Sequence, residues 1–195
     1  LEIGSNAGET TTATLVFMAL HDDYGFGQKR LERIKMKCNE YNRQEIKDDP
    51  TFEGTAFIAM RQKMEALGVS ERLERDFINW IISGVGLNGR YQRTSAMASV
   101  EASYIHLFLA IHELFGFGAQ RLKAIQQKIK FYAGCIREGE PGIEEFMKCM
   151  AVECGQVYPG LIACEEKVRR SKDLRIRGWK YDLVLAVVKN SRLKG

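Results

Sequence analysis

The residues of this chain that are best suited to do chemistry lie in a motif, H-[DE]-x-[FY]-G-F-G-x-x-R-L, that occurs twice. Each copy places a histidine, His21 or His112, beside a carboxylate, and an arginine, Arg30 or Arg121, follows the second glycine. A histidine next to a carboxylate can serve as a general base or as a metal ligand. A histidine in the last turn of a helix also interacts favourably with the helix dipole and bonds terminal carbonyls. We favour this structural role, with each arginine tying down the acid that precedes it.

Metal and catalytic sites find little further support in the sequence. A metal site normally needs three or more ligands, and no further histidine or cysteine stands at ligand spacing, so we expect no metal. Gly84–Gly89 matches G-x-G-x-x-G, but it lacks the preceding strand and the later acid of a dinucleotide site. No Walker motif or G-x-S-x-G is present. We therefore expect a protein that is not an enzyme and needs no cofactor.

Positive charge is concentrated in residues 167–195, which carry a net charge of +8, whereas the rest of the chain carries −4. Basic residues with an interleaved tryptophan suit a groove that follows a nucleic-acid backbone. The alternatives are a solvated terminal helix, an acidic protein partner, and a basic arm that pairs with the protein's own acidic body. The predicted nucleic-acid or partner-binding residues are Arg169, Arg170, Lys172, Arg175, Arg177, Trp179 and Lys180.

The elements that position these residues are organised by an internal duplication. At a constant offset of 91, thirteen residues of the segment 15–53 are identical in the segment 106–144 without a gap. The identities include the two histidines, both GFG triplets and both arginines. We infer a tandem duplication.

Each copy has the pattern of consecutive helices. Leu15, Met18 and Ala19 before the first GFG, and Leu31 and Ile34 after it, have the spacing of one helix face. The second copy of the leading helix is predicted to begin at the caps Thr94 and Ser95 and to end near Phe115. Further helices are predicted over 51–67 and 71–83, and over 142–157 in the second copy.

Both GFG triplets have the composition of a helix-ending turn. Gly27 and Gly118 suit the left-handed conformation that ends a helix. Phe26 and Phe117 can fold back as a hydrophobic plug.

These patterns predict an all-α fold in which two four-helix units form one pseudo-twofold body. The predicted divisions are a first repeat over 10–83, a glycine-rich connector over 84–93, a second repeat over 94–166 and a basic segment over 167–195. For residues 179–188 the sequence pattern fits both a helix and a strand. No apolar run approaches the length that a membrane span needs, so we expect no membrane partner.

Compartment and oligomeric state are predicted less directly. Five cysteines without a C-x-x-C pair favour free thiols in a reducing compartment, and hence a cytoplasmic location. The apolar run at 183–188 is compatible with a homodimer in which this run forms the contact between the two copies.

The double motif resembles small uncharacterised proteins of phages and prophages of Gram-positive bacteria, which carry a similar H-x-x-F-G-F-G-x-x-R-L hairpin. The matching residues are His21–Leu31 and His112–Leu122. The resemblance implies an accessory protein that acts in the cytoplasm of a bacterial host. It implies no activity and no functional residues.

Three hypotheses follow. The leading one is a non-enzymatic accessory protein that binds a host protein or ribonucleoprotein complex that handles nucleic acid, with inhibition of a defence nuclease, as by anti-CRISPR proteins, as the role that we consider. The second is direct, sequence-tolerant binding of DNA or RNA. The third is a ligand or metal site built on the pair His21 and His112.

Overall fold

The computed structural model describes residues 2–48, 54–69, 79, 89–138 and 141–158. These residues form helices and connecting turns, with no strand among them. The helices are α1 (Glu2–Tyr24), α2 (Gln28–Asp48), α3 (Thr55–Ala66), α4 (Arg90–Phe115), α5 (Ala119–Glu138) and α6 (Ile143–Cys154). The all-α prediction is confirmed.

Helices α1 and α4 form the central pair of the fold. The six consecutive residues Leu15 to Leu20 are each at most 1% exposed, and residues 104–111 are likewise all buried. A helix that is apolar on every side must be covered on every side, so both helices lie in the core. By length and composition Arg90–Phe115 could cross a membrane, but 56% of its most apolar window is buried within the protein.

Small residues allow the two central helices to approach closely. A Cβ atom added to Gly8 of α1 would lie 2.5 Å from the carbonyl oxygen of Ala96 in α4. It would also lie 3.2 Å from the Cβ atom of Ser99, the residue 91 positions after Gly8. Thr12 donates its hydroxyl to the Gly8 carbonyl over 2.8 Å, which satisfies the threonine side chain within the helix.

The central helices run parallel. Gly8 meets Ala96 near the beginnings of α1 and α4, and Tyr24 at the end of α1 meets Phe117 just after α4, with ring centroids 4.8 Å apart. Because both helices end at the same side of the molecule, both GFG turns and the first turns of α2 and α5 also lie there.

The outer helices pack across the two repeats. Helices α2 and α3, from the first repeat, pack on α4, and helices α5 and α6, from the second repeat, pack on α1. The buried faces of α2 and α5 use equivalent residues, Leu31 and Ile34 in one and Leu122 and Ile125 in the other.

Some helix boundaries differ from the predicted ones. Helix α4 begins at Arg90 with Gly89 at its N-cap, so Thr94 is not the cap; its hydroxyl donates to the Arg90 carbonyl over 3.1 Å inside the helix. Helices α3 and α6 end at Ala66 and Cys154, before the predicted 67 and 157. Gly155, with a φ of 61°, stops α6. The predicted helix over 71–83 and the segment 159–195 lie outside the described residues, Asn79 excepted.

We expect Gly8→Ala to destabilise the protein. The added methyl group meets backbone rather than a flexible side chain, and overpacking of this kind costs about 1–3 kcal/mol. Urea unfolding would measure the change. Gly134→Ala is the matched control, because its Cβ meets nothing within 4 Å and alanine favours the helix by about 0.5–1 kcal/mol. Equal stability of the two variants would contradict the close approach.

Candidate functional site: the paired GFG turns

The first glycine of each GFG triplet makes the turn. Gly25 and Gly116 have φ values of 62° and 66°, and their amides donate to the carbonyls of His21 and His112 over 3.0 and 2.8 Å. The prediction that Gly27 and Gly118 take the left-handed conformation is therefore wrong. The carbonyls of these second glycines instead accept the first bonds of the following helices.

Each histidine braces its own turn. The Nδ1 atom of His21 lies 3.0 Å from the Phe26 carbonyl oxygen, and that of His112 lies 2.9 Å from the Phe117 carbonyl oxygen. An Nδ1–H that donates to this carbonyl closes the loop around the glycine. Each histidine thus bonds to its own turn, as the structural role predicts. No contact between His21 and His112 supports the hypothesis of a site formed by the two histidines facing each other.

The aromatic rings of the two turns interlock. Phe26 lies 4.8 Å from Phe115 and 5.9 Å from Phe117 between ring centroids, in edge-on arrangements. Phe26 and Phe117 are 3% and 5% exposed. The predicted hydrophobic plug is present, and each ring contacts the other repeat.

Three arginines cover this ring cluster. The guanidinium carbons of Arg30, Arg33 and Arg121 lie 5.1–5.2 Å from the centroids of Phe26, Phe115 and Phe117, respectively. All three arginines are exposed. The expectation that Arg30 and Arg121 tie down the preceding acids is wrong, because lysines of the opposite repeat hold those acids.

The acids of the two motifs form reciprocal ion pairs. The Lys128 Nζ atom lies 2.7 Å from an Asp22 carboxylate oxygen, and the Lys37 Nζ atom lies 3.3 Å from a Glu113 oxygen. Lys37 and Lys128 are equivalent at the offset of 91, as are Asp22 and Glu113. The sequence identity of the two lysines was the signal that could have marked them.

The two pairs differ in burial. The Asp22 side chain is fully buried and also accepts a hydrogen bond from the Tyr132 hydroxyl over 3.0 Å. Glu113 is 42% exposed. Burial, and then the nearby Glu113 carboxylate, raise the pKa of Tyr41, the equivalent of Tyr132.

A second cluster joins α6 to the first turn and has the outline of a nucleophile–base–acid triad. The Cys154 Sγ atom lies 3.3 Å from His21 Nδ1, and His21 Nε2 lies 2.7 Å from a Glu153 oxygen. However, Cys154 is 1% exposed, and burial raises the pKa of its thiol to about 11. A protonated, buried thiol is a poor nucleophile, so this cluster fastens α6 to the turn.

Two cavities lie beside α2. One, of about 590 Å³, is bounded by α1, α2, α4 and residues 157–158, with Cys38 and His106 in its wall. The other, of about 570 Å³, lies between α2, α3 and α4, and its wall includes four carboxylates and two lysines. Neither wall includes Cys154. Within the described segments, no three histidine, cysteine or acidic residues are grouped to hold a metal ion.

His106 is the third histidine and is paired inside the protein. It is 4% exposed, and its Nε2 atom lies 2.9 Å from a Glu45 carboxylate oxygen. It therefore fastens α4 to the far end of α2. The four cysteines of the described residues, Cys38, Cys135, Cys149 and Cys154, are free thiols, as predicted.

The predicted binding residues of the basic segment, Arg169 to Lys180, lie outside the described residues. Comparison of the chain with protein-family models, with curated protein sequences and with solved structures gives no match.

We expect Asp22→Asn to cost much more stability than the equivalent change Glu113→Gln. Asp22 accepts two bonds in a buried site, and a hydrogen bond to a charged group contributes about 1.5–3 kcal/mol. Glu113 forms an exposed pair, which contributes about 0–1 kcal/mol. Urea unfolding of both variants would test this; equal losses would show that the burial difference does not matter.

We expect the Cys154 thiol to resist alkylation in the folded protein. The pKa of this thiol is about 11. At a pH of about 7.5, its thiolate fraction is therefore roughly a hundredth of that of an ordinary cysteine. Iodoacetamide labelling followed by peptide mass spectrometry would compare native protein with protein in denaturant. Rapid labelling of native Cys154 would contradict the structural assignment and favour a reactive site.

Proposed function

We propose that this protein acts by binding, without catalysing a reaction, and that its target is a complex of a bacterial host cell that handles nucleic acid. The observation that carries the proposal is the placement of charge. The basic segment 167–195 has a net charge of +8, and exposed arginines collect at the paired turns. Surfaces of this kind attract partners that display phosphates or carboxylates.

The phage or mobile-element origin, the cytoplasmic location and the inhibition of a defence nuclease belong to the same proposal. They are supported by the resemblance of the motifs at His21–Leu31 and His112–Leu122 to phage and prophage proteins. A small accessory protein that blocks such a machine needs a binding surface and no chemistry of its own.

We also propose that the fold is a duplicated unit with pseudo-twofold symmetry. The reciprocal pairs Lys128–Asp22 and Lys37–Glu113 support it. The position of Gly8 against Ser99, the residue 91 positions later, also supports it, because a residue beside a twofold axis meets its own counterpart.

The second candidate function is direct binding of DNA or RNA by the protein alone. The same arginines favour it, since guanidinium groups match phosphate geometry. The two functions differ in salt dependence, because phosphate contacts release counterions and a protein–protein contact releases fewer.

The leading proposal is tested by affinity purification of the full chain from a Gram-positive host after nuclease treatment of the lysate. We expect enrichment of one nucleic-acid-handling complex, and at least about tenfold less of it when Arg175, Arg177 and Lys180 are changed to glutamate, because charge reversal repels an anionic surface. Arg43→Glu, Lys47→Glu and Arg93→Glu make the same charge change elsewhere and form the control. Unchanged capture by the first variant would overturn the proposal.

A further inference from the structure

We propose that Arg30, Arg33 and Arg121, which we call the arginine face, contact the phosphodiester backbone of a nucleic acid. The inference deepens the proposed function, since it assigns the contact with the nucleic acid to the paired turns. Phosphate is the ligand class, and DNA and RNA are its two sources.

The first step is that these guanidinium groups have no carboxylate to neutralise them. Some other cations of the outer helices are paired, namely Lys35 with Glu32, Lys37 with Glu113, and Lys128 with Asp22. Among the described residues, Arg30, Arg33 and Arg121 contact rings and form no ion pair with an acid. An exposed cation without a partner is free to bind an anion.

The second step is that the ring contacts hold the guanidinium groups in place. A guanidinium over an aromatic ring uses its face for the cation–π contact. Its N–H groups lie in its own plane and remain directed outward, where they match the oxygens of a phosphate. Since the rings are interlocked, with Phe26 and Phe117 buried and Phe115 partly buried, less side-chain entropy is lost when a phosphate binds.

The third step is the charge around the arginine face. The first turns of α2 and α5 contain no acidic residue, although acids are the residues that stabilise a helix start. Lys29 and Lys123, both exposed, lie within the same two helix beginnings. The acids at this end of the molecule, Asp22, Asp23 and Glu113, are paired with Lys128 and Lys37, so Lys29 and Lys123 add positive charge beside the three arginines.

The fourth step separates a nucleic acid from an acidic protein. Protein interfaces depend on exposed apolar anchors that become buried in the complex. The large exposed apolar residues of the described segments, which include Met36 and Phe131, all lie outside 25–33 and 116–124. Phe26 and Phe117 are buried and Phe115 is partly buried beneath Arg33, so the exposed groups of the arginine face are mainly cationic, as in backbone contacts to nucleic acid.

The experiment uses the full-length protein and fluorescein-labelled single- and double-stranded DNA and RNA of about 24 nucleotides, titrated by fluorescence polarisation from about 50 to 200 mM NaCl. The test variant carries Arg30→Gln, Arg33→Gln and Arg121→Gln. The control carries Arg43→Gln, Lys47→Gln and Arg93→Gln, which change the net charge equally at exposed positions away from the turns.

We expect the test variant to bind at least about tenfold more weakly at the lowest salt, and its slope of log affinity against log salt to be shallower by about 2–3, one phosphate contact per arginine. We expect the control to change both quantities much less. The stronger binding among the four probes identifies the source of the phosphate. Absence of binding to every probe, or equal losses in both variants, would overturn the inference.

A measurement on the unmutated protein covers the case in which the test variant unfolds. Modification by phenylglyoxal should reach Arg30, Arg33 and Arg121 in the free protein and be suppressed when nucleic acid is bound, while Arg43 and Arg93 stay reactive. Lack of protection would overturn the inference, and so would equal protection by polyglutamate, which would indicate an acidic protein. The proposed function fails separately, through capture that does not depend on Arg175, Arg177 and Lys180.

Discussion

The close contact between α1 and α4 at Gly8 is the constraint on which the rest of the structure depends. With the Ala96 carbonyl oxygen 2.5 Å from where a Cβ would stand, the two helices approach too closely at this point for any side chain. Two apolar helices in such contact expose more hydrophobic surface than they cover for each other, so further helices must wrap them; among the described residues these are α2, α3, α5 and α6. Because the central pair is parallel, the chain leaves both helices at the same end.

The parallel arrangement explains why the outer helices cross between repeats. A helix that follows a tight turn emerges beside the neighbouring central helix as readily as beside its own. Here α2 packs on α4 and α5 packs on α1, so that each lysine of the second helix meets the acid of the other motif. The interlocked aromatic rings lie at the two turns, where α2 and α5 begin. As a result neither repeat has its buried surface covered without the other.

The sequence predicted the parts of the site that are local and missed those that depend on the exchange. Helix periodicity and the GFG punctuation located the turns, the plug and the structural histidines, because these contacts span few residues. The partner of Asp22 could not be assigned, since Arg30 within its own repeat and Lys128 in the other satisfy the same charge rule. The left-handed residue was misplaced because both glycines of the triplet permit it. The cluster at Cys154 was not predicted because its acid is not repeated: the residue equivalent to Glu153 in the first repeat is Gln62.

The arginines at the turns combine a structural contact with an exposed donor set, and the two uses do not compete. A guanidinium covers a ring with its face and meets a phosphate with its edge, so the proposed phosphate contact would leave the ring cluster intact. Arg30 and Arg121 are equivalent at the offset of 91, whereas the residue equivalent to Arg33 is Ala124. Retention of the equivalent pair follows from the shared need to cover Phe26 and Phe117. The third guanidinium has no counterpart at the position 91 residues later, so the arginine face is asymmetric with respect to the two motifs.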